Sequence, residues 1–438
     1  MRESLKHFKK EEFEEVVSKL SRYLSQDPKN TEAWMTKGQA HAKLQQYDLA
    51  LESFDQCLQP PEQPCQPQAL MEKAKVYADL GHYEEAVLMV DRILEMDTRK
   101  KEVWNFKGLV LMKMGDRHTE AVECFESCLG LDLKQSGVWT NKGTAYLEMG
   151  KYSQALEAFN LSLEVDPKSK EAWMKKGLCL FGLNNSKDDV ILCLDKSTEL
   201  DPLYYEAWEH KGSCFWHFEE YEKALECFNK ALQINPQSSE GWIGKAQALS
   251  ILEPESEQAL ICYQNAIQLD SNNANAHFNK GVLLSSLRRY EEAIVAFNQA
   301  LELQPHNAAL HFSKSYAQLH LQDYKSAFGT VQRGLSANPK DARGWFYRAL
   351  ILNAIRHEQN SQYNSFLEEN NMDQEEILQN FKVAVDLDPE NALYLVHLSN
   401  EWKQKGDEQK HLQYLLKAQL IHPQLVQQLT DNQISLPN

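Results

Sequence analysis

Of the 438 residues, 42% are hydrophobic and 25% are charged, and the formal net charge is −17. This composition is typical of a soluble globular protein, and its acidic excess disfavours nucleic acid and anionic membrane surfaces, which both require a basic footprint. No run of about 18 apolar residues is present, so we expect no membrane insertion, and the polar first ten residues predict a cytoplasmic protein.

A tryptophan followed three residues later by lysine and then glycine recurs about every 34 residues. The pattern starts at Trp34 and is degenerate at Trp345, while Leu70, His277 and His311 occupy the tryptophan slot in three units. A fixed period of this length predicts a solenoid built from one supersecondary unit. We therefore expect a long binding surface without a catalytic site, a cofactor or a metal.

In chain order, the period divides the sequence into five segments. They are a half-repeat or cap at 1–30, nine units over 31–341, a unit with an insertion at 342–390, a last hairpin at 391–423 and a capping tail at 424–438. The insertion, at about 356–373, is polar and acidic. Either it is a tolerated surface loop, or it is a flap that covers a binding groove.

Residues 205–238 show the unit most clearly. A first amphipathic helix is predicted from about Tyr205 to Phe218, and a second from about Tyr221 to Gln233, because apolar residues recur at helical spacing in both. Pro236 then ends the pair, since proline lacks the N–H that would continue a helix.

The nine cysteines predict neither a metal site nor a disulfide framework, since none are spaced as Cys-x-x-Cys. Cys124, Cys193, Cys227 and Cys262 share one slot on the second helix of four units. In a packed repeat, cysteine at such a slot serves as a small hydrophobe.

The unit resembles the tetratricopeptide repeat (TPR). One repeat carries the family pattern as Trp139-Gly143-Tyr146-Ala155-Phe159-Pro167. The resemblance implies an all-α, right-handed α-solenoid superhelix of about eleven TPR helical hairpins. It also implies capture of a protein or peptide on the concave wall that the first helices form. The family is defined by its scaffold, so the resemblance does not indicate which partner is bound.

A series of lysines stands where the family pattern prefers leucine; we call it the lysine ladder. Its clearest members are Lys142, Lys176, Lys211, Lys245, Lys280 and Lys314. One interpretation is structural: each aliphatic stem packs at the core edge, and the ammonium reaches acidic helix ends such as Asp166, Asp201 and Asp270. The other is a continuous cationic track for an acidic peptide.

The slots that face the concave wall in the family are polar in the first half of this chain, for example Gln39, Lys75, Asn105, Thr140 and Thr144. Later they become apolar. The predicted groove residues are Met174, Leu178, Phe181, Trp216, Ile243, Phe278, Val282, Phe312, Tyr316, Phe346 and Leu350. A contiguous apolar patch marks an interaction site, although these side chains could instead pack between adjacent first helices.

Chaperone-binding relatives grip an acidic C-terminal tail with a carboxylate clamp of Lys, Asn and Arg. The matching slots here hold Met35 and Gln39, then Glu72, then Glu102 and Phe106, so we expect no such clamp. The sequence thus predicts a non-catalytic protein–protein interaction scaffold or adaptor. The alternative is a regulatory or targeting subunit of a larger enzyme or transport complex.

Overall fold

The computed structural model describes residues 12–59, 66–254, 256–358 and 373–431. These residues form 24 α-helices and no β-strand. The helices are α1 (Phe13–Leu24), α2 (Thr31–Lys43), α3 (Tyr47–Cys57), α4 (Gln66–Asp79), α5 (Tyr83–Met96), α6 (Lys101–Met114), α7 (His118–Leu131), α8 (Ser136–Glu148), α9 (Tyr152–Val165), α10 (Lys170–Gly182), α11 (Lys187–Leu200), α12 (Tyr205–His217), α13 (Tyr221–Ile234), α14 (Ser239–Leu252), α15 (Glu257–Leu269), α16 (Ala274–Ser286), α17 (Tyr290–Leu303), α18 (Ala308–His320), α19 (Tyr324–Ala337), α20 (Ala342–His357), α21 (Gln374–Leu387), α22 (Ala392–Gln404), α23 (Glu408–Ile421) and α24 (Pro423–Asp431).

The helices pair as hairpins, in which the even-numbered helices from α2 to α22 are the first helices and the following odd-numbered ones are the second. The chain divides into two compact units, Met1–His210 and Lys211–Asn438. Inside each unit every hairpin packs against the next one along the chain. First helices also contact the next first helix, as α6 does with α8 and α16 with α18. We call the surface that these neighbouring first helices share the first-helix wall.

The recurring tryptophan fastens the turn between hairpins. In each unit that has it, the indole Nε1–H donates to the backbone carbonyl six residues earlier, as from Trp139 to Leu133 O at 3.0 Å and from Trp173 to Pro167 O at 2.9 Å. Where histidine takes this slot, a ring nitrogen makes the same bond: His311 Nε2 lies 2.9 Å from Pro305 O. Where the slot holds tryptophan or histidine, it therefore ties the first helix to the loop that precedes it.

The Gly after the ladder lysine lets the two helices of a hairpin cross closely. A Cβ on Gly143 would lie 2.7 Å from the ring of Phe159, a fully buried residue of the second helix. The hairpin of α18 and α19 inverts this arrangement. Its glycine slot holds Ser315, and the buried Phe312 ring of the first helix fills the space beside Gly334 of the second.

Both ends of the described chain are covered by single helices. At the start, α1 packs on α2 with Val16 and Leu20 fully buried. At the end, α24 packs on α22 and α23 and buries Val426 and Leu429. Each of these single helices covers one core face of the hairpin beside it. Of the insertion predicted at about 356–373, residues 359–372 lie outside the described residues. No helix in the described ranges is long and apolar enough to cross a membrane.

Candidate functional site

The first-helix wall of the second unit contains a cleft of about 270 Å³, which we call the C-terminal cleft. It lies across α16 and α18 and reaches the first turns of α20. The cleft is lined by Val282, Ser285, Ser286, Arg288, Tyr290, Phe297, Ser313, Tyr316 and Tyr347. Its lining combines one aliphatic side chain, several aromatic rings, three serine hydroxyls and the side chain of Arg288.

Aromatic contacts fix the floor of the C-terminal cleft. The Tyr290 ring stacks on His320, with centroids 4.7 Å apart, and Tyr316 meets the same His320 edge-on at 4.5 Å. Tyr316 also contacts Tyr347 of the next first helix, with ring centroids 5.7 Å apart. Each ring is thus held by a neighbour from another helix, so the cleft is built from three repeats.

Burial favours the uncharged form of two aromatic groups at the cleft, Tyr316 and His320. Burial raises the pKa of Tyr316 to about 12. Burial, and secondarily the positive charge of Arg288, lowers the pKa of His320 below its ordinary value. A neutral aromatic floor next to the exposed Val282, with 43% of its surface accessible, suits an apolar or aromatic side chain from a partner.

The first unit has a cleft at equivalent positions, which we call the N-terminal cleft. Its volume is about 480 Å³, and it lies between α4 and α6. The lining residues are Lys75, Ala78, Asp79, Phe106, Leu109, Val110, Met112 and Lys113. Leu109 directly follows the repeat glycine, as Val282 does in the second unit. The expectation of a polar first half is therefore wrong at α6, where Phe106, Leu109 and Met112 make the wall apolar.

The predicted groove residues fall into three groups by exposure. Val282 is exposed. The half-buried side chains are Leu178, Phe181, Trp216, Ile243, Phe278 and Tyr316. Those in the core are Met174, Phe312, Phe346 and Leu350, between 1% and 7% exposed. For these four, packing between helices is the correct interpretation and surface contact with a partner is not. Phe346, for example, lies 4.5 Å from Tyr394 of α22 between ring centroids.

Only Val282 and Tyr316 of the predicted groove residues line the C-terminal cleft. The sequence prediction omitted Tyr347 and Ser313, which both lie two residues after the tryptophan slot. The position two residues after the tryptophan slot borders a neighbouring first helix. A prediction that included this position would have named both residues. Met174, Leu178 and Phe181 belong to the first unit, whereas the C-terminal cleft lies in the second.

The lysine ladder faces the second helices. Three of its members form ion pairs with the second helix of the preceding hairpin: Lys73 with Asp55 at 2.6 Å, Lys107 with Asp91 at 2.7 Å and Lys142 with Glu126 at 2.9 Å, between Nζ and a carboxylate oxygen. All six predicted ladder lysines are half-buried. These contacts support the structural interpretation, in which the stem is buried and the ammonium is paired.

The ammonium groups of several ladder lysines also lie over tryptophan rings. Lys142 Nζ lies 5.4 Å from the ring centroid of Trp139, Lys176 Nζ lies 5.2 Å from that of Trp173, and Lys245 Nζ lies 5.5 Å from that of Trp242. A cation over an indole face is stabilised by the ring quadrupole. The ladder ammonium groups therefore contact an aromatic ring and, in several repeats, also a carboxylate.

The predicted acidic partners of the ladder were wrong. Asp166, Asp201 and Asp270 instead accept backbone N–H groups two residues further along, at 2.9–3.0 Å. Each carboxylate thereby closes the turn that follows a second helix. Asp201 also pairs with Lys170 at the start of the neighbouring first helix rather than with a ladder lysine.

The eight cysteines that lie in the described residues are buried and form no disulfide bond with one another. Burial raises the pKa of Cys124 to about 11, and it raises the pKa values of Cys179 and Cys214 to about 12. A protonated, buried thiol is a poor nucleophile and a poor metal ligand. In the described ranges no group of three or more His, Cys, Asp or Glu side chains could hold a metal ion.

Repeated two-helix hairpins whose first helices form a common wall define a helical repeat protein. A family model described as "Tetratricopeptide repeat" matches residues 137–169, 205–238 and 274–307, and a second with that description matches 31–59, 67–99 and 101–135. A model described as "TPR repeat" matches 255–287. The chain is a tetratricopeptide repeat protein.

Several solved structures show weak likeness to the chain. An APC/C hetero-tetramer, Cut9–Hcn1, is 14% identical with a TM-score of 0.49, over 99% of this chain and 89% of that one. Yeast Tom70 is 14% identical with a TM-score of 0.43, over 92% and 94% of the two chains. A human IFIT1 dimer with PPP-AAAA is 13% identical with a TM-score of 0.48, over 89% and 90%. These likenesses are too weak to indicate function. A comparison with curated protein sequences found no match.

Proposed function

We propose that this protein is a non-catalytic scaffold or adaptor of the cytoplasm, which binds a peptide or helical segment of a partner protein on its first-helix wall. The observation that carries the proposal is the C-terminal cleft, where Val282, Tyr316 and Tyr347 present apolar surface beside polar hydroxyls. Eight cysteines without a disulfide bond among the described residues agree with a reducing compartment.

The partner segment inserts one apolar or aromatic side chain into the C-terminal cleft. A cleft of about 270 Å³ is of the size of one or two side chains, not of a folded domain. Ser285 and Ser286 donate their hydroxyl protons to the carbonyls of Gly281 and Leu283, so their oxygens accept hydrogen bonds from the segment, and Ser313 adds a third hydroxyl to the lining. This combination of an apolar anchor and polar surroundings is typical of interfaces in which a few residues supply most of the affinity.

The N-terminal cleft is a second docking point on the first unit. Phe106, Leu109 and Met112 provide the apolar lining there, and Met adapts to side chains of different shape. Lys75 and Lys113 stand beside Asp79 in the same lining, so the cleft also carries charge of both signs. A scaffold with one cleft on each unit can hold two segments.

A matched pair of valine substitutions tests the proposal. Val282 lies on the first helix α16 and Val295 on the second helix α17 of the same hairpin, and their exposed fractions are 43% and 57%. Peptides are selected from a displayed random library on the intact protein, and their affinities are measured for the wild type, Val282→Glu and Val295→Glu. Circular dichroism checks that the variants stay helical.

We expect the selected peptides to carry an apolar anchor residue. Val282→Glu is expected to weaken their binding about tenfold or more, because it places a charge beside the cleft that the anchor must desolvate. Val295→Glu should leave the affinity within about twofold of the wild type, since it is the same change outside the cleft. Recovery of no binder, or equal losses in both variants, would contradict the proposal.

A further inference from the structure

A cleft of about 690 Å³ lies beside the ladder lysine of the hairpin formed by α18 and α19; we call it the ladder cleft. Unlike the other two clefts, it lies where a first helix meets the second helices on either side of it. It is lined by Asn298, Leu301, Glu302, Pro305, His306, His311, Lys314, Arg333, Ser336 and Ala337. All of these residues belong to the second unit.

Lys314 lacks a carboxylate at the position that pairs with two other ladder lysines. Lys107 pairs with Asp91 and Lys142 with Glu126, in both cases with the residue sixteen positions earlier. The residue sixteen positions before Lys314 is the neutral Asn298, which lines the ladder cleft. Nor can the second helix of its own hairpin replace the lost acid, because α19 contains neither Asp nor Glu.

Lys314 has also lost its aromatic neighbour. In other repeats the ladder ammonium lies over the tryptophan of its own helix, as Lys142 lies over Trp139. Here His311 occupies the tryptophan slot, and the smaller ring leaves open space where an indole would lie. The ammonium of Lys314 therefore borders a cavity at the position where other repeats have a carboxylate or an indole ring.

His311 contributes an unused polar atom. Its Nε2 bonds to Pro305 O, and a carbonyl only accepts, so Nε2 carries the proton and Nδ1 of the neutral ring is an acceptor. The side chain is 7% exposed, and Nδ1 has no hydrogen-bond partner in the described structure. His277, which holds the same slot one repeat earlier, uses both of its nitrogens, with Nδ1 3.1 Å from Gln299 Oε1.

A second fixed positive charge faces Lys314. Arg333 of α19 lines the same cleft, and its Nε donates to Gly329 O at 3.3 Å. Burial lowers the pKa of Lys314, and the guanidinium of Arg333 lowers it further. His306 adds a titratable ring, and Glu302 is the one carboxylate among the lining residues.

The cleft around Lys37 in the first unit shows the ordinary arrangement. It has the equivalent lysine, but Glu52 and Asp55 line it too, and Glu52 counteracts the fall in the pKa of Lys37 caused by burial. The ladder cleft has instead two basic side chains, Lys314 and Arg333, and one carboxylate. Its positive excess stands out in a chain of net charge −17.

We propose that the ladder cleft binds a phosphate monoester, with Lys314 and Arg333 neutralising the phosphate and His311 Nδ1 accepting its hydroxyl proton. The two cations and the single carboxylate of the lining leave one net positive charge, which a phosphate monoester in its protonated, monoanionic form balances. A phosphate monoester with its second pKa near 6 is partly protonated at neutral pH and then carries the O–H that Nδ1 needs. Sulfate lacks that proton. The cleft volume of about 690 Å³ leaves room for the group that bears the phosphate.

Isothermal titration calorimetry on the full chain tests the assignment with defined probes. They are inorganic phosphate, N-acetyl-phosphoserine amide and a hexose phosphate, with sulfate and acetate as comparison anions. We expect saturable binding of the phosphate probes with a dissociation constant of about 1 mM or tighter. A preference for phosphoserine would point to a phosphorylated protein side chain, and a preference for the hexose phosphate to a free metabolite.

Three substitutions separate loss of the site from loss of the fold. Arg333→Met and Asn298→Asp should each weaken phosphate binding about tenfold or more, the first by removing a charge-assisted bond and the second by restoring the carboxylate that pairs with Lys314. Lys325→Met removes one positive charge from the same helix, at a residue outside the cleft lining, and should change the affinity by about twofold at most.

Each contrary result overturns the proposal. These results are no saturable binding of any phosphate probe, equal binding of sulfate or acetate, and an Asn298→Asp variant that binds phosphate as the wild type does. Binding to the first-helix wall does not involve these residues, so the selected peptides should bind Asn298→Asp unchanged. A failure of the phosphate site is therefore distinguishable from a failure of the scaffold proposal.

Discussion

At the scale of single residues, the tryptophan slot does two things at once. Its ring carries the ladder ammonium, and its N–H closes the turn between hairpins, as Trp139 shows with Lys142 and Leu133. Histidine at 277 and 311 keeps the turn bond but gives up ring volume. A substitution at this slot therefore changes the cavity while it leaves the chain path unchanged.

His397 gives a pH-dependent stability that can be measured. It is buried in α22 against Phe346 and Phe381, with ring centroids 5.2 and 5.8 Å away, and burial lowers its pKa to about 4. Unfolded histidine has a pKa of about 6.5, so below that pH the unfolded state takes up a proton that the folded state excludes. The stabilisation present above pH 6.5 is thus lost as the pH falls towards 4.

We expect the opening free energy of α22 to fall by roughly 2 kcal/mol between pH 7 and pH 5 from this histidine alone. Hydrogen exchange of the α22 amides, corrected for the intrinsic rate, measures it. His397→Leu is the control, because the difference between wild type and variant removes the contribution of other groups such as the buried Glu401. An identical pH dependence in both proteins would contradict this assignment.

The packing of a residue was predictable from the sequence where its side chain contacts only its own hairpin. Gly143 and Phe159 follow directly from the pattern, since a close crossing needs a small residue opposite a large one. The burial of Phe312 and Phe346 in the core was not predictable from their positions in the repeat alone. Their burial depends on which residues the next helices supply, such as Gly334 opposite Phe312 and Tyr394 opposite Phe346.

At the scale of the helix, three ladder lysines connect a second helix to the first helix of the following hairpin. Lys142 lies on α8 and its partner Glu126 on α7, and the lysine side chain is 15% exposed. An ion pair of this kind, with one exposed partner, contributes at most about 1 kcal/mol. The ladder therefore orients neighbouring hairpins more than it stabilises them.

A charge swap tests this pairing. Lys142→Glu puts two carboxylates together and should lower the urea midpoint of unfolding, because like charges at this distance repel. The double variant Lys142→Glu/Glu126→Lys should recover most of the loss, as the pair is restored in reverse. Lys142→Met, which keeps the apolar stem, should change stability by less than about 1 kcal/mol. A double variant no more stable than Lys142→Glu would exclude a direct pair.

Helix boundaries were predictable to about one residue. The first helix of the type unit was expected from about Tyr205 to Phe218 and runs to His217, and the second was expected to about Gln233 and runs to Ile234. The repeat period and the position of the proline are sufficient to predict these helix boundaries. The clefts were not predictable, because each combines side chains from consecutive repeats at several slots, and only their relative packing decides which remain accessible.

At the scale of the whole chain, repetition lets individual repeats depart from the common pattern without loss of the fold. Each hairpin contacts mainly its neighbours, so a changed slot has local consequences. The hairpin of α18 and α19 departs at several positions: it has Ser315 for the repeat glycine, His311 for tryptophan and no acidic residue on its second helix. Both of its faces carry a proposed site.

Site-specific photocrosslinking tests the central claim, which is that a partner segment contacts the first-helix wall at the C-terminal cleft. Benzoylphenylalanine replaces the cleft residue Ser286 in one variant and Val295 of α17 in another, and each is irradiated with a peptide selected on the wild type. The account predicts a covalent adduct from position 286 and none from position 295. An adduct from position 295 alone would show that partners bind the second-helix side and would contradict the account.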